Sequence, residues 1–278
     1  MATTTEAARR ALGPVGAFLP FSRTSAASAD QQREAVRRLE AAGYRAAWTN
    51  EAVGGKDAFA QLAVLLAATE RMVFGTAIAN IWARAPQTAH GAAALLAQAF
   101  PDRFVLGLGV GYPQQAASVG REFGSPVATM RGYLDQMAAP AQLPAPDVAY
   151  PRIIGANGPK MLALAAEIAD GAIPAMAPPE FTAQARQLIG PAKLLVVGLA
   201  VVADADPERA KATARQTVAG RLGQLGTYAA LTPRIGLFSL SPGLKPESGF
   251  FLVKGYLCLH YAVFGCSQSP VFSALRFS

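Results

Sequence analysis

MVFGTAIANIWARAPQTAHGAAALLAQAFPDRFVLGLG, residues 72–109, is the stretch that decides the fold. It opens with an apolar run, 72–79, that reads as a buried strand. Pro86 stands where a helix tolerates proline best, at its first position, where the backbone N–H has no partner to lose. Residues 87–100 are the helix it opens. Residues 103–109 (RFVLGLG) form a second apolar run. Strand, helix and strand, with both strands apolar on both faces, is the pattern of a parallel sheet covered by helices on each side.

The same unit repeats outward in both directions. Upstream, 15–20 (VGAFLP) is a short strand, Asp30 is the expected N-cap of a helix closed by Gly43, and 45–49 is a second strand. Residues 58–69 are an apolar helix leading into the central stretch. Downstream come a helix within 124–137, a Pro/Ala-rich connection over 138–150, and a strand at 152–155. A helix at 159–169, a strand at 171–175 and a helix at 181–189 follow. The run 194–202 (LLVVGLAVV) reads as the clearest strand, and Asp206 and Pro207 cap a helix reaching about residue 228. Seven sequential strand–helix units favour an α/β fold of the (β/α)₈ TIM-like barrel class over an open doubly wound sheet. No eighth strand is evident.

The expected organisation is a flexible N-terminus over 1–12, the barrel over 13–230 and an atypical tail over 231–278. In the tail alanine falls to two residues, eight aromatics crowd in, and both cysteines of the chain, Cys258 and Cys266, appear. So abrupt a shift suggests a different origin, such as a frameshift, a read-through intron or a fused exon. The alternative is a divergent cap that supplies the last strand, with 249–253 as its candidate.

With 52% hydrophobic and 15% charged residues, 278 residues are ample for one buried core. The net charge of +7 points to an anionic partner. The basic residues, such as Arg33, Arg37 and Arg38, are scattered without interleaved aromatics. A phosphorylated or polyanionic small molecule therefore fits better than nucleic acid. The first ten residues lack the apolar core of a signal peptide, and no apolar run reaches membrane-spanning length. A cytoplasmic protein with no membrane or nucleic-acid partner is expected.

Four clusters are candidate sites. Gly107, Gly109 and Gly111 follow a strand, but Tyr112 stands where a dinucleotide fingerprint needs glycine. Close approach by a flat ring and simple tight packing remain open there. Residues 153–160 (IIGANGPK) run from a strand through a small turn into a proline-opened helix. Free amides at such a start attract anions, and Lys160 adds charge. Trp48, Asn50 and Glu51 end the second strand, on the catalytic face of a barrel. Trp48 is either a stacking platform or core. Asn80, Trp82 and Arg84 follow the third strand, with Arg84 the cation aimed at the mouth and Asn80 a polar contact for a ligand ring. His90 lies in a helix and reads as structural or exposed. With two histidines in the chain and no cysteine before the tail, no metal site and no Cys or His nucleophile is expected. Hard chemistry would fall to a cofactor.

In order, residues 43–51 (GYRAAWTNE), 75–86 (GTAIANIWARAP), 100–109 (FPDRFVLGLG) and 155–162 (GANGPKML) resemble the luciferase-like monooxygenase superfamily, most of all its coenzyme F420-dependent oxidoreductases. The resemblance spans about 13–230. It implies a bacterial-luciferase-like barrel and a non-prolyl cis peptide at Ala77–Ile78 against the deazaflavin ring. It further implies a phosphate seat formed by Ala156, Asn157, Gly158 and Lys160. Trp48, Asn50, Asn80, Gly109 and Gly111 would complete the cofactor site, and Trp82 and Arg84 would face the substrate. The implied activity is hydride transfer between F420 and a small organic molecule, in a homodimer. An FMN-dependent monooxygenase and a non-catalytic barrel derivative are the alternatives. Tyr112 or Glu51 would be the proton donor. The family's Ser-His pair after the fourth strand is replaced here by Gly111 and Tyr112, a departure that bears on proton transfer at that place. Residues 231–278 match none of the family's usual ending.

Overall fold

The apolar runs become a sheet because each finds a parallel neighbour. The computed structural model describes residues 3–19, 27–140, 143–175, 179–198, 202–204, 206, 208–210, 212–213 and 250–251. They fall into two units, residues 1–173 with 185–196, and residues 174–184 with 197–278.

The first unit holds β1 (Gly16–Phe18), β2 (Ala46–Thr49), β3 (Val73–Thr76), β4 (Ala79–Asn80), β5 (Phe104–Gly109), β6 (Arg152–Gly155), β7 (Gly171–Ile173) and β8 (Leu194–Leu195). They pair in parallel in the order β1-β2-β3-β5-β6-β7-β8, with β4 also on β5. A doubly wound sheet reverses its order at a switch point. This sheet does not, so its order is that of a (β/α) barrel wall.

Helices follow the strands as the alternation requires: α2 (Ala29–Ala41), α3 (Ala58–Leu66), α4 (Pro86–Ala99), α6 (Pro126–Ala138), α7 (Pro159–Ile168) and α8 (Pro179–Ile189). The short α5 (Pro113–Ala117) has no counterpart in the sequence reading. The cap of α2 is Ser28, not Asp30, because Ser28 and Gln31 stand at capping-box spacing and close reciprocal bonds. Asp30 instead pairs with Arg33 at 2.6 Å. His90 on α4 is structural: its Nδ1 lies 2.7 Å from the Tyr150 hydroxyl.

The expectation of a flexible N-terminus is corrected by α1 (Thr4–Leu12). Thr3 and Glu6 form a capping box, and Ala8 and Leu12 are buried in a cluster with Ala46, Trp48, Val73, Val105, Ile153, Ile173 and Leu194. The interior of the sheet thus gains apolar cover from a helix too polar on its outer face to stand out by composition. Arg9 fastens it by donating to the carbonyls of Pro191, Ala192 and Lys193 at 2.9–3.1 Å.

That contact belongs to a pattern at the N-terminal ends of the strands. Arg45 donates to the Arg10 carbonyl (2.8 Å), and Arg103 to the carbonyls of Met72 and Leu66 and to the Thr69 hydroxyl. Lys193 donates to the Ala169 carbonyl. Part of the positive charge therefore satisfies backbone carbonyls here rather than any ligand.

In the second unit, β9 (Val202–Ala203) and β10 (Phe250–Phe251) pair antiparallel, and Gly198 bridges Ala175. The stretch 194–202 is therefore divided between β8, this bridge and β9. Of the eighth-strand candidate 249–253, Phe250–Phe251 pair with β9 and lie outside the parallel sheet. Asp206 caps the helical residues from 208 through the amides of Glu208 and Arg209. The rest of the expected helix to 228, and the tail apart from 250–251, lie outside the described residues. Among the described residues no helix is long and apolar enough to cross a membrane.

Candidate functional site

The third apolar run does not stay one strand. It parts into β3 and β4 around the Ala77–Ile78 peptide, which is cis, at the position the resemblance implied. Both neighbours follow the bulge. The Ala77 amide donates to the Thr49 carbonyl, the Glu51 amide to the Ile78 carbonyl, and the Ile81 amide to the Gly109 carbonyl.

The glycines of 107–111 explain how the bulge fits. A Cβ at Gly107 would stand 2.0 Å from the Thr76 carbonyl oxygen, and one at Gly109 would stand 2.5 Å from Ile78 Cγ1. A Cβ on Gly155 would stand 3.3 Å from Ile78 Cγ2. Gly107 and Gly109 thus pack tightly against the bulge, one of the two readings the sequence left open. Gly111, at φ +56°, is pressed by Gln115 Oε1 and Asn80 Nδ2, which a Cβ would meet at 2.0 and 2.7 Å.

Glu51 is buried, and every partner it has here is a protein donor. Its Oε1 accepts the Ala58 amide (3.0 Å), its Oε2 the Asn80 amide (2.9 Å), and both oxygens meet the Arg84 guanidinium. Arg84 also binds Asp57 at 2.7 Å and lies 4.5 Å over the Phe59 ring. Burial works against the Arg84 charge, but the hydrogen bonds and charges of Glu51 and Asp57 outweigh it and raise the pKa. Asp57 is likewise held below its usual range: burial opposes this, but the Ala60 amide and Arg84 prevail. Glu51 and Arg84 thus hold each other, with Asp57 as the second anion on the guanidinium. The physical reason is that a buried charge requires a partner.

Asn80 is 1% exposed. Its amide is held by Glu51, and its Oδ1 accepts the Trp82 amide at 3.0 Å. Its Nδ2 is the one buried side-chain nitrogen or oxygen without a partner among the described residues. Trp82 donates Nε1–H to the Val110 carbonyl (2.7 Å), and its half-buried ring lies 6.1 Å from Phe123. Tyr112, 37% exposed, precedes α5, and its amide donates to Gln115 Oε1.

On β2 the alternation of side chains sends Trp48 into the sheet interior, 7% exposed, flat against Gly75. A Cβ on Gly75 would stand 2.1 Å from the indole. Trp48 therefore belongs to the core cluster, one of the two readings the sequence left open. Asn50, half-buried, follows β2 directly.

Downstream, Ala156 is buried, Asn157 and Gly158 are half-buried, and Lys160 is exposed. Gly158 is the N-cap of α7, and no side chain caps that helix. Its first free amides can therefore donate to an anion. The chain's three asparagines, Asn50, Asn80 and Asn157, thus lie at or just past the ends of β2, β4 and β6. Sequence reasoning missed Asp57 and Gln115. The signal for Asp57 was its place before an apolar helix, whose N-cap it is. Nothing in the sequence marked Gln115.

The luciferase-like monooxygenase family model matches residues 14–236. A Mycobacterium tuberculosis protein described as a coenzyme F420-dependent oxidoreductase is 32% identical over 173 residues, covering 51% of this chain and 50% of that protein. The chain thus spans half the length of that relative. The 5,10-methylenetetrahydromethanopterin reductase of Methanolobus tindarius is 28% identical over 79% of this chain and 74% of its own. Among solved structures, an F420-dependent secondary alcohol dehydrogenase in complex with an F420-acetone adduct superposes with TM-score 0.60 at 16% identity, over 87% of this chain and 85% of its own. The coenzyme F420-dependent tetrahydromethanopterin reductase of Methanopyrus kandleri gives 0.56 at 18% identity, over 70% and 68%. At these identities the superpositions establish the TIM-like barrel fold.

Proposed function

This chain belongs to the luciferase-like monooxygenase family, and from that premise we propose that it is an F420-dependent oxidoreductase acting on a small organic substrate. The observation that carries the reading is the adjacency of two seats. Ile78 of the bulge lies against Gly155, and the next residues lead into the uncapped start of α7. A planar ring at the first and a phosphate at the second is the pairing that a phosphate-bearing deazaflavin requires. The relatives named for F420 support that choice of ring.

When bound, the deazaflavin supplies hydride-transfer chemistry. The chain's own residues have simpler tasks. The α7 amides and Lys160 hold the phosphate, with Ala156, Asn157 and Gly158 shaping the turn. Ala77, Ile78 and Asn80 face the ring together with Asn50, Gly109 and Gly111. Trp82 walls the mouth, and Tyr112 is the hydroxyl able to hand a proton to substrate. Glu51 and Arg84 hold this arrangement and meet neither ligand. A cytoplasmic homodimer belongs to the same proposal.

One neighbour, a Baeyer–Villiger monooxygenase component, was solved in complex with FMN and superposes with TM-score 0.52. FMN is accordingly the competing ligand. Fluorescence titration of the folded chain with oxidised F420 and with FMN decides. Binding of F420 alone supports the proposal, and binding of FMN alone replaces it with a flavin monooxygenase. If neither binds, the chain is a non-catalytic barrel derivative.

A further inference from the structure

The geometry points to the Asn80 side-chain amide as the donor that recognises the heterocycle's carbonyl edge, with Glu51 as the residue that positions it. This rests on the F420 reading above. Three observations carry it. First, Asn80 cannot turn to find another partner. Its backbone amide is fixed by Glu51 Oε2 and its Oδ1 by the Trp82 amide, which assigns the remaining atom, Nδ2, as a donor. Second, that donor is buried and unpartnered among the described residues. A buried N–H without an acceptor is costly, and native proteins keep few of them outside functional sites. Third, glycine at 111 is what lets this donor and Gln115 Oε1 come so close to the backbone after β5, since a Cβ there would meet Nδ2 at 2.7 Å and Oε1 at 2.0 Å.

The ligand chemistry that fits is a neutral acceptor on a flat ring. The pyrimidinedione end of a deazaflavin offers carbonyl oxygens of that kind, whereas its phosphate belongs at α7. An apolar substrate could not satisfy the amide. Glu51 acts through Asn80: its Oε2 bonds the Asn80 amide while its Oε1 bonds Ala58 at the start of α3. The Arg84 guanidinium keeps that carboxylate in place. The donor is thus anchored to a helix rather than to a free loop.

The composition provides the test. With three asparagines in the chain, a ¹⁵N-asparagine label yields three side-chain amide pairs. Asn50→Ser and Asn157→Ser assign two by loss and leave Asn80 as the third, without altering Asn80 itself. Oxidised F420 is titrated into the labelled full-length chain while fluorescence reports binding. The expected result is a downfield displacement of the Asn80 pair that saturates with the fluorescence change. Asn80→Asp, which keeps the Oδ1 acceptor and removes the amide, is expected to weaken F420 about tenfold. Glu51→Gln is expected to displace the Asn80 resonances of the free chain and weaken F420 severalfold. In an Asn80→Asp background Glu51→Gln should weaken F420 no further, although it still lowers Tm. If F420 binds and the Asn80 pair does not move, this inference fails and the F420 reading stands. If F420 does not bind at all, both fail.

Discussion

Two glutamates hold the two ends of the third strand, and they differ in what they leave over. At the N-terminal end, Glu40 accepts the amides of Glu70, Arg71 and Met72 at 2.7–3.2 Å, closing the turn that enters β3. At the other end, Glu51 accepts the amides of Ala58 and Asn80 and pairs with Arg84. The chemistry is the same: a carboxylate gathering backbone N–H groups from a loop. Around Glu40 it sits beside Arg103, whose donors meet the Met72 and Leu66 carbonyls. Around Glu51 the account closes except at one atom, Asn80 Nδ2. The same clamp thus closes a turn at one end and leaves one buried donor over at the other.

The largest effect is expected from breaking the buried clamp. Arg84→Met keeps the contact with Phe59 but leaves the Glu51 carboxylate buried without its cation. Removing one partner of a buried pair costs about 3–5 kcal/mol, which for a chain of this size lowers Tm by about 10 °C. A thermal melt within about 2 °C of the parent would mean that Glu51 is paired by solvent, and the contrast between the two ends would dissolve.

This ion pair also marks where the sequence stops being legible. The strand–helix alternation could be read because buried parallel strands are apolar on both faces and Pro86 and Pro159 announce their helices. The Ala77–Ile78 bulge could be placed by resemblance. The partnership of Glu51 with Arg84 could not, because the two are 33 residues apart and meet only when the loops after β2 and β4 converge. Each alone looked like a free polar group at a barrel mouth. The place of Trp48 stayed open for a related reason. In a four-residue strand buried on both faces, polarity gives no sign of which face looks inward. Helix α1 was legible in principle, through Thr3 and Glu6, but mean polarity hid it.

The clamp at the other end is expected to fail with acid. Burial tends to raise the Glu40 pKa, but the amides of Arg71, Glu70 and Met72 and the charge of Arg71 more than offset this, so it lies below the usual range. A carboxyl depressed by folding stabilises fully above its unfolded value, about 4.3, and that contribution is lost as pH falls through the folded value. Glu40→Gln should therefore cost about 1–2 kcal/mol at pH 7 and converge on the parent only as pH falls below the usual carboxylate range. Urea melts across that window measure it. F420 affinity at pH 7 should be unchanged, because Glu40 serves only the entry to β3. A loss of affinity would couple the two ends.

The smallest effect on stability separates the ends most sharply. Gly158 caps α7 with no side chain, in an extended conformation (φ −150°), and nothing lies within 4 Å of where its Cβ would be. Gly158→Asp fits without strain and supplies the missing cap to the first amides of α7. As a helix cap it gains a few tenths of a kcal/mol at most, so Tm should rise by about 1 °C. As an anion seat it is ruined, since the new carboxylate occupies the amides and repels a phosphate, and F420 affinity should fall about tenfold or more. A gain in stability with a loss of binding would identify the bare cap as the anion seat, a second group at this end of the sheet reserved for a ligand. Unchanged binding would move the phosphate away from α7 and leave the bulge as the one seat at this end of the sheet.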